Sequence, residues 1–96
     1  MNKLFSLESE IAVVTGALGK LGSVWIETLL EAGASVFALD LPGAAVAEGF
    51  RHIQDRFDAS RLKLQRTDVR DRQALEAACD QCIASFGIPS ILGGTG

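Results

Sequence analysis

An apolar run, Ile11-Ala12-Val13-Val14, leads without interruption into Thr15-Gly16-Ala17-Leu18-Gly19-Lys20-Leu21-Gly22. Glycine recurs at every third position of that segment, at Gly16, Gly19 and Gly22. The pattern describes a buried strand, a glycine-rich turn and a helix start. Such a turn lets backbone come close to a pyrophosphate and aims the free amides of a helix N-terminus at it. The rest of the chain either supports that geometry or argues against it.

The order of elements supports it. Ile11 to Thr15 is β-branched and apolar, as a strand covered on both faces should be. From Lys20 to Ala32 the apolar residues Leu21, Val24, Trp25, Leu29 and Ala32 recur at helical spacing, and Gly33 is expected to end the helix in the left-handed region. Ala34 to Leu39 reads as a second strand ending on Asp40, and Pro42-Gly43 breaks the chain. Val46, Phe50, Ile53 and Phe57 give a second helix, and Asp58 to Arg61 a polar turn. Leu62 and Leu64 alternate with Lys63 and Gln65 in a short third strand that ends near Thr67-Asp68-Val69. Asp71 opens a third helix whose stripe is Leu75, Ala78, Cys79, Cys82, Ile83 and Phe86, and Gly87 closes it. Ile88 to Leu92 is a fourth strand, followed by Gly93-Gly94-Thr95-Gly96. The order β-α-β-α-β-α-β with short connections specifies an α/β fold: part of a Rossmann-type, doubly wound parallel sheet, in one domain over residues 1–96.

Composition removes several function classes. The chain is 48% apolar and 22% charged, which suits a packed core rather than disorder. The net charge is -3 and the basic residues are scattered, so the footprint of a nucleic-acid binder is missing. No apolar stretch approaches the roughly 20 residues of a membrane helix, and Met1 to Glu10 does not read as a secretory signal. The expectation is a cytoplasmic protein. Cys79 and Cys82 form a C-x-x-C pair, but in the middle of a helical pattern, whereas redox pairs favour helix N-termini. With His52 as the single histidine, a metal site is poorly supplied, and the pair reads as two small buried apolar residues.

An acidic residue completes the site. Asp40 stands 18 residues after Gly22, close to the roughly 20 expected for the acid that binds the adenosine ribose of a dinucleotide. Its carboxylate can accept from both ribose hydroxyls and repels a 2′-phosphate, which favours NAD over NADP. Lys20 is either a phosphate partner or a solvated lysine at the helix start. Asp68 ends the third strand, where ligands of open α/β sheets bind, and either bonds the adenine amino group or caps the following loop.

With these residues in place the chain resembles the short-chain dehydrogenase/reductase family. The resemblance rests on Phe5-Ser6-Leu7, on Ala12-Val13-Val14-Thr15-Gly16 with its glycine turn, and on Asp40-Leu41. Asp68-Val69-x-Asp71 and Phe86-Gly87-Ile88-Pro89-Ser90-Ile91-Leu92 complete it. It implies NAD- or NADP-dependent oxidation of alcohols or reduction of carbonyls, in full-length relatives that assemble as homo-oligomers. Gly16, Leu18, Gly19, Leu21 and Gly22 would line the pyrophosphate and nicotinamide side, Asp40 with Leu41 the ribose, and Asp68 with Val69 the adenine. Three departures stand out. The spacing T-G-x-x-G-x-x-G is that of the family's extended branch, which includes sugar-nucleotide epimerases, not the T-G-x-x-x-G-x-G of the compact branch. The family's Asn-Asn-Ala-Gly after the fourth strand appears as Gly93-Gly94-Thr95-Gly96. The family's catalytic Tyr and Lys, four residues apart, have no counterpart, since the chain contains no Tyr. The expectation is therefore the cofactor-binding portion of an oxidoreductase, inactive by itself. The alternatives are a stand-alone nucleotide-binding or interaction module and a fragment of an epimerase.

Overall fold

In the computed structural model, which describes residues 7–94, seven elements follow in the expected order. They are β1 (Ile11–Thr15), α1 (Lys20–Glu31), β2 (Ser35–Asp40), α2 (Glu48–Arg56), β3 (Leu62–Arg66), α3 (Arg72–Ser85) and β4 (Ile91–Gly94). Phe5 and Ser6, and Thr95 and Gly96 of the terminal tail, lie outside the described residues.

The strands form one parallel sheet in the order β3-β2-β1-β4. Strand period two divides the apolar residues between its faces. On one face Ala12, Val14, Val36, Ala38 and Leu62 pack with Ile26 and Leu30 of α1 and Phe50 and Ile53 of α2. On the other, Val13, Phe37 and Leu39 pack with Ala78 and Cys82 of α3, and Phe86 meets Phe37 edge to face at 6.2 Å. The sheet is doubly wound. The chain steps outward from β1 to β3 and then returns to the far side of β1, so the direction of winding reverses at the strand that feeds the glycine turn.

Polar groups fix the helix ends. The Arg61 guanidinium donates to the carbonyls of Leu30 (2.6 Å) and Ala34 (2.9 Å), tying the turn before β3 to the end of α1 and the entry to β2. Asp71 caps α3, accepting from the amides of Gln73 (3.0 Å) and Ala74 (3.4 Å).

Three expectations need correction. The buried face of α1 is Gly22, Ser23, Ile26 and Leu30, while Leu21, Val24 and Trp25 are exposed. Small residues at the start of the helix let it sit close over the turn, which rotates the larger apolar side chains outward. On α3, Ala78 and Cys82 are buried, but Cys79 and Ile83 are exposed, so only one of the two cysteines is a core residue. Strand β4 begins at Ile91 rather than Ile88 and runs into Gly93 and Gly94. Pro89 has no N–H to give a ladder, and Ser90 makes the junction: its amide donates to the Ile11 carbonyl (2.8 Å), and its hydroxyl accepts from the Ile11 amide (3.2 Å). Among the described residues no helix is long and apolar enough to cross a membrane.

Candidate functional site: a cleft at the carboxyl ends of the strands

Each glycine of the turn has its own physical reason, and they differ. Gly16 has φ 67°, in the left-handed region that a side chain disfavours. At Gly22 a Cβ would lie 2.4 Å from the Gly16 carbonyl oxygen and 2.9 Å from the Ala17 backbone. The close approach is therefore between the helix and the turn. Gly19 needs glycine for neither reason: its φ is -77°, and a Cβ there would meet only the Gly16 oxygen, at 3.7 Å. It is exposed and forms the N-cap of α1 with no side-chain cap. The first amides of that helix have no acceptor within the helix, and no acidic residue sits in its first turn. Lys20 instead places a cation at the positive end of the dipole, which is locally unfavourable without an anion nearby.

Asp40 reaches the turn from the end of β2. Its Oδ2 accepts from the Leu18 amide and its Oδ1 from the Leu41 amide, both at 2.8 Å. A carboxylate has about four acceptor positions, so roughly one remains on each oxygen. Leu18 itself is buried in the core and presents only its backbone to the site. The loop after β2 is held by Arg66, whose guanidinium donates to the carbonyls of Leu41 (2.9 Å) and Ala44 (2.6 Å).

Thr15, Gly16, Leu21, Leu39, Asp40, Leu41, Thr67, Asp68, Val69 and Arg70 enclose a cleft of about 750 Å³, within the range of small-molecule sites. It lies at the carboxyl ends of β1, β2 and β3. Six residues singled out in the sequence meet there: Gly16, Leu21, Asp40, Leu41, Asp68 and Val69. Gly19 and Gly22 shape the turn beside it. Lys20 lines a separate groove between α1 and α2 with Glu27, Glu48 and His52.

Sequence reasoning missed Arg70 and Thr67. The Arg70 side chain grips Asp68 with two bonds, Nε to Oδ1 and Nη2 to Oδ2, both 3.0 Å, while its amide donates to Oδ1 at 3.0 Å. These bonds hold the Asp68 carboxyl below its usual range. The spacing Asp68-x-Arg70 within a turn was the available signal. Thr67 had only its place before Asp68.

The family model for short chain dehydrogenases matches residues 10–92, which takes in β1, the turn, both acids and the start of β4. The chain belongs to the short-chain dehydrogenase family. It is 37% identical over 79 residues to the short chain dehydrogenase/reductase notP' of Aspergillus versicolor, a match that covers 78% of this chain and 26% of that protein. It is 31% identical over 86 residues to 3beta-hydroxysteroid dehydrogenase 2 of Eggerthella lenta, covering 90% and 32%. Among solved structures it is similar to a protein described as a D-mannonate oxidoreductase from Haemophilus influenza, which has NAD bound. The TM-score is 0.77 at 26% identity, covering 91% of this chain and 30% of that one. This short-chain dehydrogenase sequence thus spans about a quarter to a third of the proteins it matches. The match to a dehydrogenase model runs through the glycine turn whose spacing alone leaned towards the epimerases.

Proposed function

We propose that residues 1–96 form the dinucleotide-binding part of an NAD-dependent short-chain oxidoreductase, and that the cleft takes the adenosine half of NAD. The observation that carries this is Asp40: a carboxylate bonded to the turn, lining the cleft, with an acceptor position to spare on each oxygen. A vicinal diol supplies two donors, which is what that pair of positions can use. A 2′-phosphate would bring two negative charges against a carboxylate, which disfavours NADP. The similar NAD-bound protein supports a nicotinamide dinucleotide as the ligand class.

In this reading the pyrophosphate crosses the turn at Gly19, where no side chain blocks it, and meets the amides that open α1, with Lys20 at its flank. Gly16, Leu18, Leu21 and Gly22 build that passage, Leu41 flanks the ribose, and Asp68 and Val69 receive the adenine. NAD supplies the hydride-accepting ring when bound. The residues here bind and orient it, and hold it away from a 2′-phosphorylated competitor. Hydride chemistry would require groups beyond these 96 residues, because they contain no Tyr. The chain alone is therefore expected to bind NAD without oxidising alcohols.

The test is a fluorescence titration with NADH and NADPH. The unaltered chain should prefer NADH, and Asp40→Ala should weaken NADH more than NADPH. An NADH preference that survives Asp40→Ala would remove Asp40 from the ribose.

A further inference from the structure

Among the described residues a single buried side-chain polar atom has no hydrogen-bond partner: Oγ1 of Thr67, a residue of the cleft wall whose oxygen is itself covered. Thr67 is 3% exposed. Its position is fixed by its backbone, whose amide donates to the Asp40 carbonyl at 2.7 Å. It therefore stands between the two acids of the site, beside Asp40 across the sheet and before Asp68 along the chain. Neither serves its hydroxyl. Asp40 is turned to the Leu18 and Leu41 amides, and Asp68 to Arg70.

A buried hydroxyl without a partner destabilises the free chain, and valine would occupy the same volume without that cost. A ligand that brings the missing partner would remove that cost. We propose that Thr67 is a ligand-contacting residue of this cleft, whose hydroxyl donates to a ring nitrogen of the purine at the adenosine end of the dinucleotide. This rests on the dinucleotide reading above. The base end is indicated because Thr67 leads into Asp68 and Val69, away from the turn that faces the pyrophosphate. Purine ring nitrogens are acceptors, and a hydroxyl is a donor free to rotate. Rotation of χ1 between staggered wells re-aims the oxygen while the backbone stays in place.

The experiment compares the unaltered 96-residue chain with Thr67→Val and Thr67→Ser. Calorimetric titration with NAD and with 5′-AMP is paired with thermal unfolding of the free chain. Thr67→Val should weaken both ligands by about five- to tenfold, the worth of one hydrogen bond. The same change should leave the unfolding midpoint of the free chain unaltered or higher. Thr67→Ser should retain affinity for both ligands. If Thr67→Val binds 5′-AMP as tightly as the unaltered chain, the assignment of Thr67 fails while the dinucleotide reading stands. If Thr67→Val lowers the midpoint and leaves affinity unchanged, the hydroxyl is structural and the assignment again fails. If the unaltered chain binds neither NAD nor 5′-AMP, both readings fall together.

Discussion

Gly19 and Gly22 are three residues apart on one turn, yet substitution should separate them. A side chain at Gly22 has to displace backbone 2.4 Å away, so Gly22→Val should cost about 1–3 kcal/mol of stability and abolish NADH binding. At Gly19 a methyl group makes ordinary contact, so Gly19→Ala should leave thermal unfolding nearly unchanged while weakening NADH in the same fluorescence titration. Equal loss of stability in both variants would mean that Gly19, like Gly22, is required by the fold. The spacing of the glycines was plain in the sequence; which physical demand each one meets was not, because that depends on where the Gly16 carbonyl points. The cysteines show the same limit. Their position in the middle of a helix was legible, but which of them faces the sheet is set by the rotation of α3. Burial pushes the Cys82 thiol up from its ordinary pKa, whereas Cys79 is exposed. Iodoacetamide should therefore label Cys79 in the folded chain and reach Cys82 only on unfolding, as read by mass spectrometry. Simultaneous labelling would contradict the placement of α3.

The elements were recoverable from local signals: apolar runs for β1 and β2, Asp71 before α3, and glycines after α1 and α3. The buried face of α1 is not legible from the spacing of its apolar residues, because the largest of them, Leu21, Val24 and Trp25, are exposed. The helix instead docks through its small residues. The start of β4 was misjudged because Ile88 and Pro89 look like strand by hydrophobicity, while Pro89 cannot join a ladder. Asp71 was read correctly, and its cap makes a quantitative expectation. Asp71→Ala should cost α3 about 1 kcal/mol, seen as a thermal midpoint lower by roughly 4–8 °C for a domain of this size. No change would mean that α3 is held by packing alone. The loops at the ends of β3 add an acid dependence. Asp58, bonded by Ser60, and Asp68, bonded by Arg70, both titrate below the ordinary carboxylate range in the folded chain. A carboxyl with a lowered folded pKa adds stability that is complete above its unfolded pKa, near 4, and is lost as pH falls through the folded value. Asp68→Asn should lower the thermal midpoint slightly at neutral pH and converge with the parent in acid, so that its decline below about pH 4 is shallower. A variant with the parent's acid profile would show that the pairing with Arg70 has no energetic consequence.

Taken together, sheet order, winding reversal and cleft follow from one arrangement: a parallel sheet whose helices cover both faces, with its loops gathered at the carboxyl ends of the strands. That arrangement was legible from element order. The cleft was legible only in part: the acids and glycines announce themselves by type and spacing, whereas Arg70 enters through its grip on Asp68 and Thr67 through a place in the wall that its residue type does not signal. The cleft beside Asp40 is to be distinguished from the other concave surfaces, above all the groove between α1 and α2 that Lys20 lines. An amide-resolved NMR titration of the 96-residue chain with NAD distinguishes them. The amides of Gly16 to Gly22, Leu41 and Asp68 to Arg70 should shift together along one binding curve, while those of Glu48 to His52 and Cys79 to Ser85 stay in place. Shifts confined to the α1–α2 groove, or none at millimolar NAD, would contradict a dinucleotide site at the carboxyl ends of the strands.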